Sequence, residues 1–372
     1  MPKPIVIVHF QPLERYPPVI NLLRYLAKEN QGGFEIYAIS TAGPNPQKQI
    51  SIPGIEIHRV AAMQSYMSFG KRLWLYLDFI RKTYALLRRI RPGKLMYFET
   101  LSAGAPCVYK WLNSDTELFV HYHEYTSNSE YQSGMVLNKW LHTLERRMYS
   151  RTTWLSHTIG DRMNLFLQEH QHCLPPHQYL LPNYPPACWK MKQFGSQLGN
   201  DKVGFIYIGA LGLDTMYIRE IVSLVSSQPE KYWLDFYSDN YGDEVVEYFK
   251  NLTATNIHFK GALEYDAIPG ILRNYRVGLI LYKGHIPNYV YNAPNKLFEY
   301  LVCGLDVWAP SELKSAAAYE TQGTYPVITR MDFDHLTPAI AEEKLRRENL
   351  RWVPQEYFCE EVLLPLKEKL FL

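Results

Sequence analysis

Lys296 and Glu299 stand three residues apart in the run Asn292-Ala-Pro-Asn-Lys-Leu-Phe-Glu-Tyr-Leu-Val-Cys-Gly-Leu-Asp-Val-Trp-Ala309. On a helix that spacing puts an ammonium and a carboxylate on one face. Pro294 suits a first helical turn, where its missing N–H would have had no partner, and Asn292 can cap that turn. Gly304 supplies a left-handed C-cap, and Leu305 to Ala309 reads as a buried strand. A helix start carrying a lysine suits phosphate, and a carboxylate one turn on accepts hydrogen bonds from a ribose diol. The chemistry implied is a pocket for a nucleotide diphosphate, with Asn288 and Asn292 as candidate hydroxyl partners. An ordinary capped helix with a solvated Lys and Glu carries the same pattern.

A second cluster, His121-Tyr-His-Glu-Tyr125, follows the apolar run Leu118 to Val120. A histidine next to a carboxylate can be held in one tautomer and tuned near neutral pH, which marks His123 and Glu124 as acid–base candidates. The plainer reading is a histidine closing a strand end through backbone bonds. His121 and His123 lack a third ligand at zinc spacing, so no metal is expected. The third place is Phe205-Ile-Tyr-Ile-Gly-Ala-Leu-Gly212. Glycine after the first strand of a Rossmann-type half lets backbone approach a phosphate, which selects Gly209; Gly212 equally suits a bare turn. No GxGxxG follows the first strand of either half, which counts against a dehydrogenase.

The elements that must position these residues alternate strand and helix. Ile5 to Phe10, Phe34 to Ser40, Ile55 to Val60, Leu95 to Glu99, Leu118 to Tyr122 and Thr153 to Ser156 read as strands. Helical spacing covers Val19 to Asn30, Leu73 to Ile90, a short stretch through Trp111, and Leu137 to Ser150. The pattern pauses at Leu181-Pro-Asn-Tyr-Pro-Pro186. It resumes at Val203 to Ile208 with strands at Trp233 to Tyr237, Ile257 to Lys260, Val277 to Leu281 and Leu305 to Ala309. This is an α/β chain of two doubly wound halves. The expected organisation is an N-terminal domain over 1–185, a linker over 186–201, a C-terminal domain over 202–354 and a terminal helix over 355–372. A helix from near Met216 is expected after the Gly209 turn.

The run Pro294 to Gly304 resembles the Pro-x-Lys-(Leu/Phe)-x-Glu-Tyr-(Leu/Met)-x-x-Gly signature of GT-B glycosyltransferases, especially the retaining family-four group. The resemblance implies two facing Rossmann-like domains with an interdomain cleft, and a terminal helix crossing back to the first domain. It implies that Glu299 holds the ribose of a nucleotide sugar while Lys296 faces the diphosphate; Leu297 belongs to the same binding segment, though its side chain points toward a core. Phe205 to Leu211 is similar to the family's Tyr-x-Gly-x-Leu start. Ala210 replaces an arginine common there, so the diphosphate would lean on Gly209, Lys296 and Lys283. By the same resemblance His123 touches the transferred sugar with Glu124 beside it, and Pro182-Asn183 sits at the hinge. Tyr291 stands where the family often has an acid, eight positions before Glu299.

The implied activity is a retaining, metal-independent transfer of a sugar from a nucleotide-diphosphate sugar to a glycan or lipid-linked acceptor in surface polysaccharide biosynthesis. No cofactor is implied beyond that donor substrate. Two other readings stay open: a nucleotide-sugar-binding partner without turnover, and a sugar-nucleotide epimerase on the same fold. Near-balanced charge, with 39 Lys and Arg against 37 Asp and Glu, argues against a general nucleic-acid binder. Five cysteines without CxxC spacing suit reduced thiols and a cytoplasmic protein. Neither a signal segment nor a spanning helix is legible. The basic, aromatic segment Lys71 to Lys94 is able to lie against anionic lipid, which makes peripheral membrane contact a further expectation; a core helix with a solvated basic face reads the same way.

Overall fold

The computed structural model describes residues 2–43, 49–62, 68–191, 202–347 and 350–372. The chain divides into two compact units, Met1–Asn183 with Cys359–Leu372, and Tyr184–Phe358. Most of the expected linker, 192–201, lies outside the described residues. Ala187–Trp189, just ahead of it, is a 3-10 turn with Trp189 buried.

In the first unit the strands are β1 (Ile5–His9), β2 (Ile36–Ala42), β3 (Glu56–Ala62), β4 (Lys94–Phe98), β5 (Glu117–Tyr122), β6 (Trp154–His157) and β7 (Gln178–Leu180). They form one sheet in the order β3-β2-β1-β4-β5-β6-β7, and every pairing is parallel. Parallel neighbours require crossovers, here α1 (Pro17–Glu29), α2 (Phe69–Ile90), α3 (Gly104–Leu112), α4 (Asn128–Ser133), α5 (Val136–Arg146) and α6 (Gly160–Glu169). β1 and β4 are buried along their whole length, as their unbroken apolar runs require in a covered parallel sheet. Leu75, Phe79 and Leu87 on α2 pack into that core. α2 stops at Arg91, whose φ of 56° is left-handed, immediately before Pro92.

The helix expected over Leu137 to Ser150 is α5, which ends at Arg146 and is followed by a 3-10 turn at Tyr149–Arg151; α4 precedes it and was not expected. Ser127 and Glu130 close a capping box that starts α4, and Gly134 ends it before α5 begins. β7 and α6 carry no strong periodic signal, and β7 is short and largely exposed.

In the second unit the elements are β8 (Val203–Ile208), α7 (Ile218–Ser226), β9 (Tyr232–Tyr237), α8 (Asp243–Lys250), β10 (Ile257–Gly261), α9 (Ile268–Leu272), β11 (Val277–Leu279), α10 (Pro287–Val290), α11 (Asn295–Val302), β12 (Asp306–Pro310), β13 (Thr324–Tyr325), β14 (Ile328–Met331), α12 (Pro338–Lys344) and β15 (Arg351–Trp352). The main sheet runs β10-β9-β8-β11-β12-β14, and β13 pairs with β15. α13 (Cys359–Phe371) belongs to the first unit. Leu363, Leu366 and Leu370 are its buried stripe, the Phe371 ring stacks on Phe34 at 5.2 Å, and Lys94 Nζ donates to the Lys369 carbonyl at 2.7 Å.

Both sheets reverse winding direction at their first strand, between β1 and β4 and between β8 and β11. In such sheets ligands gather beyond the carboxyl ends of the strands at that point. Gly209 follows β8, and His123 follows β5 on the same end of its own sheet.

Candidate functional site

In the second unit the site is built on the start of α11. The helix begins at Asn295 with Pro294 in the N-cap position, and no side chain caps it. Asn292 is therefore not the cap: Ala293 precedes a proline, which disfavours helical backbone there and delays the first turn. The far end closes as expected. Gly304 has φ +83°, its N–H donates to the Leu301 carbonyl, and the Leu305 N–H donates to Tyr300, a Schellman motif.

Glu299 is 1% exposed. Its Oε2 accepts from Lys296 Nζ at 2.6 Å, while Oε1 has no partner. An unpaired buried carboxylate oxygen is costly, so it marks a place for a donor from outside the chain. Leu297 lies in the core, and its N–H is spent on the Pro294 carbonyl at 2.9 Å, which leaves a ligand no free group there. Lys283 sits in the connection after β11, with Nζ 3.5 Å from Glu220 Oε1 and 5.1 Å from the centroid of the Tyr217 ring. Asn292 is half-buried in the same connection.

Gly209 has φ +156°, and a Cβ there would sit 3.0 Å from the Tyr207 hydroxyl. That hydroxyl donates to the Ala210 carbonyl at 2.6 Å, so strand and turn lock each other. The helix expected near Met216 starts later, at Ile218. The segment before it pairs instead with the end of β11: the Tyr217 N–H donates to Leu281, and the Lys283 N–H donates to Thr215. Tyr300, missed from sequence, joins the two halves of this site. Its hydroxyl accepts from the Ile208 N–H at 3.1 Å, one residue before Gly209, and its ring occupies the space a side chain at Gly278 would need. Burial and the neighbouring Glu299 push this phenol well above its usual range.

In the first unit, His123 is 6% exposed and Glu124 is exposed. Adjacent residues at a strand end point apart, and these two do not pair. Instead His123 Nδ1 lies 3.1 Å from Asn183 Oδ1 and 3.2 Å from His121 Nε2, and His121 Nδ1 lies 2.8 Å from Ser156 Oγ. With amide oxygen as acceptor, Nδ1 of His123 carries the proton and Nε2 is a bare acceptor, without a partner. Burial, with Arg162 nearby, holds the His123 imidazole down at about 4, so it is neutral at pH 7 rather than tuned near neutrality. His9, at the end of β1, is held at about 3 by burial and by His123.

Glu99, directly after β4, is the residue sequence reading left inside a strand. Its backbone has φ 64° and ψ 152°, a region open essentially to glycine alone. The Glu99 N–H donates to the His121 carbonyl at 3.1 Å, and its Oε1 accepts the N–H groups of His123 at 2.6 Å and Glu124 at 3.3 Å. Burial, then Glu124, raises its carboxyl to about 8. Tyr16, in the loop after β1, lies against His9 and His123, with ring centroids 4.3 and 6.0 Å away, and burial followed by Glu99 and Glu124 raises its phenol. A polar residue directly beyond a buried strand was the available signal for Glu99; for Tyr16 there was only its place in a loop at the ligand end.

No protein-family model and no curated protein matches the sequence. Solved structures match it over nearly their full length. Sucrose-phosphate synthase from Thermosynechococcus elongatus superposes with a TM-score of 0.64 at 14% identity, over 99% of this chain and 95% of that one. Anabaena HepE in complex with UDP and glucose gives 0.62 at 11%, over 98% and 94%. A putative UDP-N-acetylglucosamine 2-epimerase from Listeria monocytogenes gives 0.61 at 12%, over 98% and 95%. At these identities the likeness is one of fold, and with two Rossmann-like units of seven- and six-stranded parallel sheet the chain has the GT-B fold.

Proposed function

We propose that this chain is a glycosyltransferase that moves a sugar from a nucleotide-diphosphate sugar to a glycan or lipid-linked acceptor. The reading includes retention, no metal, a cytoplasmic location and a place in surface polysaccharide biosynthesis. Glu299 carries it: a buried carboxylate with one oxygen paired to Lys296 and the other unpartnered suits the hydroxyls of a ribose. Lys296 and the free amides at the start of α11 supply positive charge for a departing diphosphate. His123 Nε2 offers an acceptor for a hydroxyl of the sugar in transit. HepE, bound to UDP and glucose on the same fold, supports the donor class.

Peripheral membrane contact fits a lipid-linked acceptor. Trp74 on α2 is 66% exposed and Trp140 on α5 is 53% exposed, near the exposed cations Lys71, Arg72 and Lys139. None of the described helices is long and apolar enough to cross a membrane. Sedimentation with vesicles of anionic lipid tests this contact: Trp74→Ser with Trp140→Ser should release the protein, and equal binding by the variant would exclude this face.

The epimerase reading has one observation in its favour. Glu99 and Glu124 share a neighbourhood, and proton removal and return at a sugar carbon needs such groups. Solvent deuterium entering a nucleotide sugar incubated in D2O would select it. Donor binding with neither transfer nor exchange would select the non-catalytic reading, motivated by Ala210 and Tyr291.

The deciding experiment is a thermal-shift panel of nucleotides and nucleotide sugars on the wild type and Glu299→Ala. A ligand at a hundred times its Kd stabilises by about 2.7 kcal/mol, a clear shift in midpoint. A shift confined to one diphosphate-sugar and lost in Glu299→Ala supports the donor site. No shift with any nucleotide sinks the proposal.

A further inference from the structure

A buried cation lies against His123 and belongs to a different element. Arg162 stands in the first turn of α6 and is 3% exposed. Its guanidinium donates to the His123 carbonyl and, at 3.3 Å, to Thr158 Oγ1, and the Thr158 hydroxyl lies 3.5 Å from that same carbonyl. Two local rules are broken there. A cation in a first turn meets the positive end of the helix dipole, and a guanidinium out of water loses its hydration. Positions that break such rules are the expected places for function.

The backbone shows what the placement achieves. The β5–β6 ladder ends at the pair Tyr122 and His157, so that pairing no longer serves residue 123. The His123 N–H donates instead to Glu99 Oε1 at 2.6 Å, and its carbonyl accepts from Arg162. One side chain from beyond β4 and one from α6 thus hold the peptide groups on both sides of the residue, while the ring reaches Asn183 through Nδ1. We propose that Arg162 is a positioning residue for His123: by holding the carbonyl it keeps the imidazole in the orientation that leaves Nε2 a bare acceptor. The proposal rests on the transferase reading only for its consequence, that this acceptor meets a hydroxyl of the sugar in transit.

Charge works in the same direction. The ionisable groups around His123 are His9 on β1, Tyr16 after it, Glu99 beyond β4, His121 and Glu124 on and after β5, and Arg162, with His157 of β6 next to Arg162. Burial holds His9, His121 and His157 neutral, and Glu99 is raised to about 8. At pH 7 the full charges are the exposed Glu124 carboxylate and the buried Arg162 guanidinium. A second proton on His123 would set an imidazolium beside that guanidinium, a cost added to the larger one of burial.

Ring-nitrogen NMR on the full chain with labelled histidine tests this, His123 being assigned by the signal missing from His123→Asn. In the wild type Nδ1 should carry the proton, Nε2 should be bare, and the ring should titrate at about 4. Arg162→Met should mix the two tautomers and raise the midpoint by about 1. Arg162→Lys, which keeps the charge and a donor, should restore both. Where Arg162→Met does not fold, Arg162→Gln, which keeps a donor and loses the charge, should still raise the midpoint. An unchanged tautomer and midpoint in Arg162→Met, or an unchanged midpoint in Arg162→Gln where it stands in, overturns the proposal, as does a wild-type His123 protonated on Nε2. Turnover separates this role from the transferase reading. Arg162→Met should lower kcat about tenfold or more at unchanged donor KM, with Arg162→Lys recovering most of the loss. Altered ring signals with no sugar transfer by any of these proteins would sink the transferase reading and leave the positioning role standing. Lost transfer with unaltered ring signals would overturn the positioning role.

Discussion

Glu99→Gln should stabilise the protein, and only above the pH at which a free carboxyl ionises. In the unfolded chain Glu99 ionises near 4.5; in the fold its carboxyl is raised to about 8. Between those values the unfolded state has lost the proton and the folded state has kept it, so stability falls as pH rises through that window and is constant outside it. The difference of 3.5 pKa units, at about 1.36 kcal/mol each, sets a ceiling near 5 kcal/mol. Solvent reaches part of this side chain and screens the effect, which brings the expected figure to about 2 kcal/mol. Glutamine keeps the amide-accepting oxygen and the same backbone strain but has no proton to lose. Thermal melts of both proteins at pH 4.5, 6, 7 and 8.5 should therefore coincide at the lowest pH. By pH 8.5 the variant should melt about 4–8 °C higher, given about 2–4 °C per kcal/mol for a unit of this size. A gap that does not change with pH would refute the reasoning, as would a variant less stable at every pH. Either would mean that the carboxyl is ionised in the fold or that its charge is matched by a partner.

Three further outcomes follow from the second unit. Lys296→Met should cost about 2 kcal/mol by leaving the buried Glu299 carboxylate unpaired, and Lys296→Met combined with Glu299→Gln should recover most of it in a double-mutant cycle by urea unfolding. Tyr300→Phe removes the acceptor for the Ile208 N–H and should cost about 1–2 kcal/mol, with a weaker nucleotide-induced thermal shift because Gly209 follows directly. Gly278→Ala drives a methyl into the Tyr300 ring and should cost about 1–3 kcal/mol, read as a lower urea midpoint at unchanged slope.

The parallel sheets were legible because covered strands carry apolar runs, here Ile5–Val8 in β1, Leu95–Phe98 in β4, Leu118–Val120 in β5 and Phe205–Ile208 in β8. β7, with two of three residues exposed, is held by pairing to β6 rather than by its own composition, and composition cannot announce that. α4 went unread because its capping box, Ser127 with Glu130, opens a helix of only six residues, too short for a periodic signal. At the candidate site, Lys296, Glu299 and Gly209 could be singled out from sequence because one helix turn or one strand end brings their chemistry together. Tyr16, Glu99 and His123 come from the ends of three strands, β1, β4 and β5, that are distant in sequence. Their neighbourhood exists only once β1 lies beside β4 and β4 beside β5. Asn183 shows the same limit: read only as part of a hinge, it sets the tautomer of His123 through a bond across 60 positions.

The two units solve opposite electrostatic problems with the same kind of sheet end. In the second, α11 keeps a lysine beside a buried carboxylate, and the carboxylate stays short of one hydrogen bond. In the first, burial drives three histidines and a glutamate to their uncharged forms, and the buried Arg162 guanidinium donates to the His123 carbonyl. A charged diphosphate donor suits the former and is poorly served by the latter; a hydroxyl-rich neutral ligand suits the latter. Exchanging the two chemistries gives a discriminating test. His123→Lys would place a second cation beside the buried Arg162. It should lower the melting midpoint at pH 7, because a buried ammonium there is repelled by Arg162 and meets a Glu99 carboxyl that is still protonated. The loss should shrink at pH 9, where Glu99 ionises and can pair with it. A loss independent of pH would show that the lysine reaches water, and that the apparent division of labour between the units is one of sequence and not of dielectric.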